Sequence, residues 1–412
     1  MLLTSGIILK TLKEMPTEPI ASDPFIDTEN KSAVTKLPRL LSLDALRGFD
    51  MFWIMSGEGV VHALAKATNW PVLLWMSGQL HHTVWNGITF YDMIFPLFLF
   101  IAGAAMPYSM HNRITGANVN NASLLPAVEK RQIYLAVLRR TLILVFLGIV
   151  VNGLFKWNGY ENTRFASVLG RIGLAWFFAG LIYLNFNLCK QLAWFGGLLL
   201  GYWAAMMLIP VPGYGAGVLT MNGSLESYID RLLLPGRLHD KVHDPEGILS
   251  TIPAIGTAML GVFTGQFLKY GHPKWPMWQK GVALFVAGLI LIAAGSLWNL
   301  TFPINKRLWT SSFVLFVGGW SLVLLSVFYL IIDVAGYRKW AFPFVLIGVN
   351  SIIIYLASEG MIDFQHTANY FFLGLIQYAS PIWQPVWQAI SIVITQLALL
   401  YFLYRNKIFL KI

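Results

Sequence analysis

The two residues of this chain best suited to acid–base chemistry are a histidine and an aspartate ten positions apart, His82 and Asp92. His82 lies in the polar, aromatic segment 81–87, and Asp92 lies near the start of the apolar run 88–103. An imidazole can take up or release a proton near neutral pH. A carboxylate in an apolar span is costly unless it faces protein or water, so Asp92 is a functional candidate. We predict that His82 is a base or nucleophile supported by Asp92. The alternative is an interfacial loop, anchored by Trp85, in which His82 has no chemical role.

The composition of the whole chain predicts an integral membrane protein. Of the 412 residues, 57% are hydrophobic and only 12% are charged, whereas a soluble domain is typically about 25% charged. The apolar runs have the length of about 20 residues that a membrane helix needs, which is longer than the strands of a β-barrel. We therefore predict an all-α polytopic bundle of about ten transmembrane helices. The predicted spans are 43–64, 88–110, 133–154, 168–188, 191–210, 250–269, 281–299, 311–333, 342–359 and 383–404.

The distribution of lysine and arginine predicts the side of the membrane on which each loop lies. Cytoplasmic loops carry an excess of these residues. With ten spans, both termini lie on the same side of the membrane. Of the 29 lysines and arginines, nineteen fall on that side, eight fall on the opposite side, and Arg47 and Arg171 fall within spans. We predict cytoplasmic termini and outer loops at 65–87 and 211–249. Because the net charge of +10 is divided among loops, we predict no nucleic-acid partner.

The chain divides into an arm and a membrane domain. Residues 1–39 hold five basic residues, five acidic residues and four prolines, a composition typical of a segment without a packed core. We predict a flexible cytoplasmic arm at 1–39 and a membrane domain at 40–412. The single cysteine, Cys189, excludes an internal disulfide framework.

The first predicted span carries a stripe of ionisable side chains. Asp44, Arg47, Glu58 and His62 fall within about 60° of one another on a helical wheel. We expect the stripe to line a cavity or to pair with other helices, because facing lipid would be costly. A simpler alternative for Asp44 and Arg47, which are three residues apart, is that they pair with each other.

Arginines in two further spans are candidates for binding an anion. Arg171 lies between two glycines in the fourth span, and a buried guanidinium suits a phosphate or a carboxylate. Arg139 and Arg140 are expected at the cytoplasmic start of the third span. They could bind phosphates there or serve only as a topology signal.

The predicted outer loop 211–249 holds a second group of polar residues. His239 and His243 have the spacing of a metal-binding pair on a helix, but Pro235 and Pro245 disfavour a helix there, so we predict no metal. The segment 244–247 is typical of a tight turn before the sixth span. Its carboxylates, Asp244 and Glu246, could recognise an amine, assist the base or only cap the span.

Five segments in the same order resemble the heparan-alpha-glucosaminide N-acetyltransferase family of transmembrane acyltransferases. They are residues 42–48, 81–103, 228–234, 244–252 and 305–310. The resemblance implies that the catalytic histidine is His82, three residues before Trp85-Asn86-Gly87, and not His81. Since about forty residues precede Ser42, we expect a bacterial-type form without the family's large N-terminal extramembrane domain, which leaves the polymer specificity open.

The resemblance implies that acetyl-CoA in the cytoplasm donates an acetyl group to the amine of a glucosamine-like sugar at the outer side of the membrane. We assign catalysis to His82 and Asp92. We assign acceptor binding to Trp85, Asn86, Glu58, Asp244 and Glu246, and coenzyme A binding to Arg47, Arg171, Arg139 and Arg140.

The implied setting is a bacterial inner membrane, with lipid and an amino-sugar or glycan acceptor as partners and a homodimer as an open question. The alternative function is a proton-coupled sugar transporter, in which His82 and the carboxylates relay protons. Dependence on acetyl-CoA separates the two functions, because only the enzyme consumes it.

Overall fold

The computed structural model describes residues 40–111, 127–156, 159–271 and 274–410, which belong to one compact unit. The predicted arm, 1–39, lies outside the described residues. The predicted fold class is confirmed, because the described part is built of helices and contains isolated β-bridges but no strand.

The helices follow one another with mostly short connections. In chain order they are α1 Leu41–Phe52, α2 Glu58–Thr68, α3 Pro71–Gln79, α4 Phe90–His111, α5 Ala127–Val151, α6 Val168–Asn185, α7 Leu188–Leu208, α8 Leu225–Leu233, α9 Thr251–Tyr270, α10 Met277–Trp298, α11 Ser311–Phe328, α12 Phe342–Val349, α13 Ser351–Leu356, α14 Phe364–Ile376 and α15 Gln384–Arg405. Short π-helical turns continue α1 at Trp53–Gly57, α11 at Tyr329–Val334 and α13 at Ala357–Met361.

Eight helices of the described part are long and apolar enough to cross a membrane, namely α4, α5, α6, α7, α9, α10, α11 with its π turn, and α15. A ninth crossing is the pair α12 and α13, which is bent by 64° at the break between them. The first predicted span is a helical run over 41–68, but it does not meet the same test of length and hydropathy. The described residues therefore contain eight or nine helices that are long and apolar enough to cross a membrane, against the ten predicted.

Glycines bring α4 close to α9 and so fix the helix that carries Asp92. A Cβ atom at Gly103 would lie 2.1 Å from the carbonyl oxygen of Ala258, and one at Gly261 would lie 2.0 Å from that of Phe100. Small residues at such a contact let two helix backbones approach closely inside a membrane. A larger side chain at either glycine would separate the two helices and displace the start of α4.

The polar stripe predicted along the first span is not continuous. Near the start of α1, Arg47 Nη1 donates to Asp44 Oδ1 at 3.1 Å, which is the simpler pairing considered above. After the π turn, Glu58 faces the Tyr91 hydroxyl, and His62 Nδ1 lies 2.7 Å from Ser77 Oγ. The π turn changes the number of residues per turn, so positions on either side of it no longer share the face that a regular helix would give them.

Candidate active site

The first turn of α4 is organised around the carboxylate of Asp92. Thr89 precedes the helix, and Asp92 follows it by three residues, which is the spacing of a capping box. The Oδ2 atom of Asp92 accepts hydrogen bonds from the backbone N–H groups of Thr89 and Thr83, both at 3.2 Å. The same oxygen lies 3.1 Å from the Thr89 hydroxyl and 2.9 Å from the Thr83 hydroxyl. One oxygen of this buried side chain thus ties the 83–89 loop to the helix, and Oδ1 is left for other partners.

That second oxygen orients His82. Asp92 Oδ1 lies 2.8 Å from His82 Nδ1, and because a carboxylate accepts hydrogen bonds, it assigns the ring proton to Nδ1 and a lone pair to Nε2. The His82 side chain is 51% exposed and packs against the ring of Tyr91, with 4.7 Å between the ring centroids. His81 instead stacks on His62 at 4.5 Å. The pair His82–Asp92 therefore has the arrangement of a general base or nucleophile with an orienting carboxylate.

A second loop, 304–310, is joined to the His82 loop. The backbone N–H of Gly87 donates to the Ile304 carbonyl at 2.9 Å, and Asn305 Nδ2 donates to Asn86 Oδ1 at 3.0 Å. Gly87 has a φ of +104°, a conformation that glycine adopts without strain. The contacts of Ile304 and Asn305 fix the backbone of the 304–310 loop, and Lys306 directly follows Asn305 in this loop.

Lys306 lies beside the His82–Asp92 pair. Its Nζ is 3.1 Å from His82 Nδ1, 3.4 Å from His82 Nε2 and 3.4 Å from Asp92 Oδ1, and its side chain is 16% exposed. Burial lowers the pKa of the Lys306 ammonium, although the nearby carboxylates of Asp92 and Glu246 partly oppose the shift. Three titratable residues from two distant parts of the chain thus form one compact group.

Trp85 connects the His82 loop to the long segment between α7 and α9, the 209–250 loop. Its indole N–H donates to the Leu219 carbonyl at 2.8 Å, and its ring meets the ring of His243 edge-on with 5.3 Å between the centroids. These two contacts join the 209–250 loop to the segment that carries His82.

The 209–250 loop is held by an arginine clamp. Arg164 donates from Nε to Asp244 Oδ2 at 2.8 Å and from Nη2 to Asp244 Oδ1 at 2.6 Å, and Nη2 also donates to Glu246. Burial raises the pKa of the Asp244 carboxyl, but Arg164 outweighs that effect and the net shift is downward. The backbone N–H of Gly247 donates to the Asp244 carbonyl at 3.0 Å, which is the predicted tight turn. Asp244 is fully buried, and its two oxygens accept from Arg164 and from the backbone N–H groups of His239 and Glu246, whereas the Glu246 side chain is 10% exposed.

A second polar network lies buried beneath this loop. Glu226 and Asp230, one helical turn apart on α8, are both fully buried and interact with each other. Burial raises the pKa of both carboxyl groups, so the pair retains a proton near neutral pH. Glu226 Oε2 lies 2.8 Å from His243 Nδ1, and Ser250 Oγ donates to Glu226 Oε1 at 3.0 Å. Among the described residues no group of three or more His, Cys, Asp or Glu side chains is arranged to hold a metal ion.

Arg171 contacts the end of the same 209–250 loop. Its Nη2 donates to the Gly247 carbonyl at 3.1 Å and to Ser250 Oγ, and its guanidinium carbon lies 5.1 Å from the centre of the Trp309 ring. Arg171 is 2% exposed, and its Nε and Nη1 atoms have no hydrogen-bond partner among the described residues. A buried guanidinium with two unused donor atoms is able to accept a further anionic or carbonyl partner.

The other three arginines predicted to bind coenzyme A lie elsewhere. Arg47 is paired with Asp44 in α1, and Arg140 packs over the Trp176 ring at 4.3 Å. Arg139 and Arg140 lie well inside α5, which begins at residue 127, rather than at the start of the span. The four arginines thus occupy three separate places and do not form one cluster.

The structure brings His82, Asp92, Trp85, Asn86 and Glu58 into one neighbourhood, together with several residues that had no role in the sequence-based prediction. Lys306 and Asn305 stood in a motif quoted for the resemblance, and that was the available signal. Arg164 was counted only as an outer charge, and nothing in its local sequence marks the partner, 80 positions away. Glu226 was not singled out at all.

Comparison with known proteins gives two kinds of match. A family described as a domain of unknown function (DUF5009) matches residues 39–185. Heparan-alpha-glucosaminide N-acetyltransferase from Homo sapiens is 29% identical over 452 aligned positions, which cover 96% of this chain and 63% of that protein. The enzyme of the same name from Mus musculus is 28% identical over 384 positions, 80% of this chain and 56% of that protein.

The chain thus spans less than two thirds of the length of these relatives. The matches nevertheless cover most of the chain, and the human enzyme, which aligns with 96% of it, matches the part that carries His82, Asp92 and Lys306. The predicted resemblance is confirmed: this polytopic helical membrane protein is related in sequence to the heparan-alpha-glucosaminide N-acetyltransferases.

Proposed function

We propose that the chain is a transmembrane acetyltransferase, which moves the acetyl group of cytoplasmic acetyl-CoA to the amine of a glucosamine-like sugar at the outer side of the membrane. The observation that carries the proposal is the pairing of half-exposed His82 with buried Asp92 at 2.8 Å. The names of the two relatives, both N-acetyltransferases, support the reaction class.

The chemistry follows from the assigned tautomer of His82. An acceptor amine must be unprotonated to attack, so a base is needed where the acceptor binds. In direct transfer the amine nitrogen bonds to the thioester carbon and the C–S bond breaks. The amine proton passes to His82 Nε2 and then to the departing sulfur. In the two-step route Nε2 bonds to the carbonyl carbon first and the C–S bond breaks, so that coenzyme A leaves as the thiolate. The amine then displaces the imidazole, and the amine proton passes to the freed Nε2. Both routes use the Nε2 lone pair that Asp92 maintains.

We propose that the acceptor lies among Trp85, Asn86, Glu58, Asp244 and Glu246. Glu58 faces the Tyr91 hydroxyl, and Tyr91 packs on His82, so a sugar contacting Glu58 would also be near the imidazole. The exposed amide of Asn86 can bond sugar hydroxyls, and Trp85 can pack against a sugar ring. Asp244 is occupied by Arg164, and its contribution is to hold Glu246 in place.

For acetyl-CoA the arginines divide by position. The unused Nε and Nη1 of Arg171 are suited to the thioester end, because Arg171 shares the outer region with Glu246 and Trp309. We assign the phosphates to Arg47, Arg139 and Arg140. The three lie on helices that we place with their first residues at the cytoplasmic side, in an inner membrane with both termini in the cytoplasm. Acetyl-CoA supplies the acetyl group as a thioester.

One observation favours the transporter alternative. Asp50 is 1% exposed in the first helical run, and neither of its oxygens has a hydrogen-bond partner among the described residues. A carboxyl group in such a place is a typical proton carrier of membrane transporters. The transporter would move a sugar without acetyl-CoA, and this is the point at which the two functions part.

The test is turnover by the purified protein with labelled acetyl-CoA and a panel of amino sugars. We expect release of coenzyme A and formation of an N-acetyl sugar with at least one hexosamine, and no product with N-acetylglucosamine, which lacks a free amine. Sugar uptake into proteoliposomes without acetyl-CoA, and no coenzyme A release, would establish the transporter instead.

A further inference from the structure

Lys306 lies beside both ring nitrogens of His82 and the Oδ1 atom of Asp92. Its Nζ lies within 3.4 Å of both imidazole nitrogens and of Asp92 Oδ1. The loop that carries it is fixed by Asn305, which is fully buried and bonds Asn86. A lysine on a pinned loop, with only 16% of its side chain exposed, is held at this position rather than free to extend into solvent.

The hydrogen-bonding capacities of the three groups limit what Lys306 can do. The Nδ1 proton of His82 is directed at Asp92, and an ammonium has three donors and no acceptor. Lys306 therefore cannot share that proton, and it donates to Asp92 Oδ1 instead. Its remaining N–H groups are free to point past the ring towards the Nε2 side, where the acetyl group must react.

The distances allow contact with the reacting oxygen. By standard bond lengths, an acetyl carbon bonded to Nε2 would carry its oxygen about 2.2 Å from Nε2. The Lys306 Nζ lies 3.4 Å from the same nitrogen, so an oxygen on its side of the ring comes within hydrogen-bonding distance of about 2.8 Å.

We propose that Lys306 is a further catalytic residue, whose ammonium donates a hydrogen bond to the acetyl carbonyl oxygen as negative charge develops on it. The inference rests on the acetyl transfer proposed above. The nucleophile bonds to the carbonyl carbon and the π electron pair moves to oxygen. The pair returns to re-form C=O as the C–S bond breaks, and sulfur leaves as a thiolate with the electron pair of that bond. Lys306 keeps its proton throughout.

The role predicts both a magnitude and a pH dependence. Removing one donor to such an oxyanion typically costs 10²–10³-fold in kcat. The titratable groups that face Lys306 are His82, Asp92, Glu246 and Arg307. Burial lowers the lysine pKa, and the ammonium is required. Activity should therefore fall on the alkaline side as pH rises through that lowered pKa.

The test restores the ammonium chemically. In a chain whose natural cysteine is removed by Cys189→Ser, Lys306→Cys should lose about 10²–10³-fold in kcat with little change in KM. Reaction of the new thiol with 2-bromoethylamine gives a side chain of lysine length with a terminal ammonium, and it should recover most of the loss. Reaction with 2-bromoethanol gives a neutral chain of the same length, and it should recover none. If Lys306→Cys does not fold, Lys306→Met is measured for the same loss.

Near-normal turnover by Lys306→Cys or Lys306→Met overturns the role. Equal recovery with both reagents overturns it as well, because filled space would then be sufficient. These results leave the proposed function standing if the Cys189→Ser chain itself turns over. Absence of coenzyme A release by that parent chain contradicts the acetyltransferase proposal and, with it, the role of Lys306.

Discussion

Replacing Asp92 by asparagine should leave the protein folded but nearly inactive, for a reason that can be read from its contacts. The backbone N–H groups of Thr83 and Thr89 and the Thr83 hydroxyl converge on Oδ2 within 3.2 Å, while the Thr89 hydroxyl donates its single proton to the His81 carbonyl at 2.6 Å. The asparagine oxygen will occupy that position, because the NH₂ group would meet two backbone N–H donors there. The NH₂ group must then face His82 Nδ1.

An NH₂ group facing Nδ1 donates to it, and the ring proton moves to Nε2. The nitrogen that should carry the reactive lone pair is then protonated. In the Ser-His-Asp template, the same Asp-to-Asn change and the wrong tautomer that results cost about 10⁴-fold in kcat. The lost attraction between Lys306 and a charged carboxylate acts in the same direction. We expect a loss of 10³–10⁴-fold for Asp92→Asn.

The assay is acetyl transfer by the purified variant, with folding checked by its size-exclusion profile and thermal unfolding. Asp363→Asn is the matched control, because Asp363 caps α14 by accepting from the His366 N–H at 2.8 Å, and asparagine serves equally well as an N-cap. The control should keep normal turnover. A folded Asp92→Asn protein within tenfold of the parent would refute the tautomer argument.

Two further predictions concern topology and the buried carboxyl pair. Lys66 and Asn222 are exposed, and a cysteine at either position in a Cys189→Ser chain should react with an impermeant maleimide in intact cells. Cys189 of the natural chain, which is also exposed, should react only after permeabilisation. The reverse pattern would overturn the predicted orientation. Burial raises the pKa of Glu226, so its protonated form stabilises the fold below the ordinary carboxyl pKa of about 4, and this contribution is lost as pH rises towards the raised pKa. The thermal midpoint should decline between pH 5 and pH 8 and decline less in Glu226→Gln; an unchanged slope would contradict the assignment.

Local sequence was sufficient for the part of the site that is local. His82 and Asp92 are ten residues apart at a helix start, and the Thr89–Asp92 spacing of a capping box places the carboxylate in the first turn. The tight turn at 244–247 follows equally from its composition. In each case the partners lie within about one turn or one short loop, so their proximity is already determined by secondary structure.

The rest depends on contacts between distant segments. Lys306 is 224 positions from His82, and Arg164 is 80 positions from Asp244. Neither separation along the chain can be related to the periodicity of a helix or a strand. Only the packing of the bundle brings these loops together. The polar stripe failed for a different reason, since the π turn after α1 breaks the regular helical geometry on which the wheel was drawn. Arg171 was correctly recognised as a buried guanidinium, but its partners on the outer loop, Gly247 and Ser250, could not be inferred from its own span.

The most direct test of transmembrane acetyl transfer is a sided assay in inside-out membrane vesicles. Labelled acetyl-CoA is supplied outside the vesicles, at the cytoplasmic face, and glucosamine is trapped in the lumen. Three proteins are compared, namely the parent chain, His81→Ala and His82→Ala. We predict labelled N-acetylglucosamine in the lumen with the parent and His81→Ala, and at least a 10²-fold lower rate with His82→Ala, as expected for loss of a general base. Lumenal product at the parent rate with His82→Ala, or sugar efflux without any acetylated product, would contradict the account.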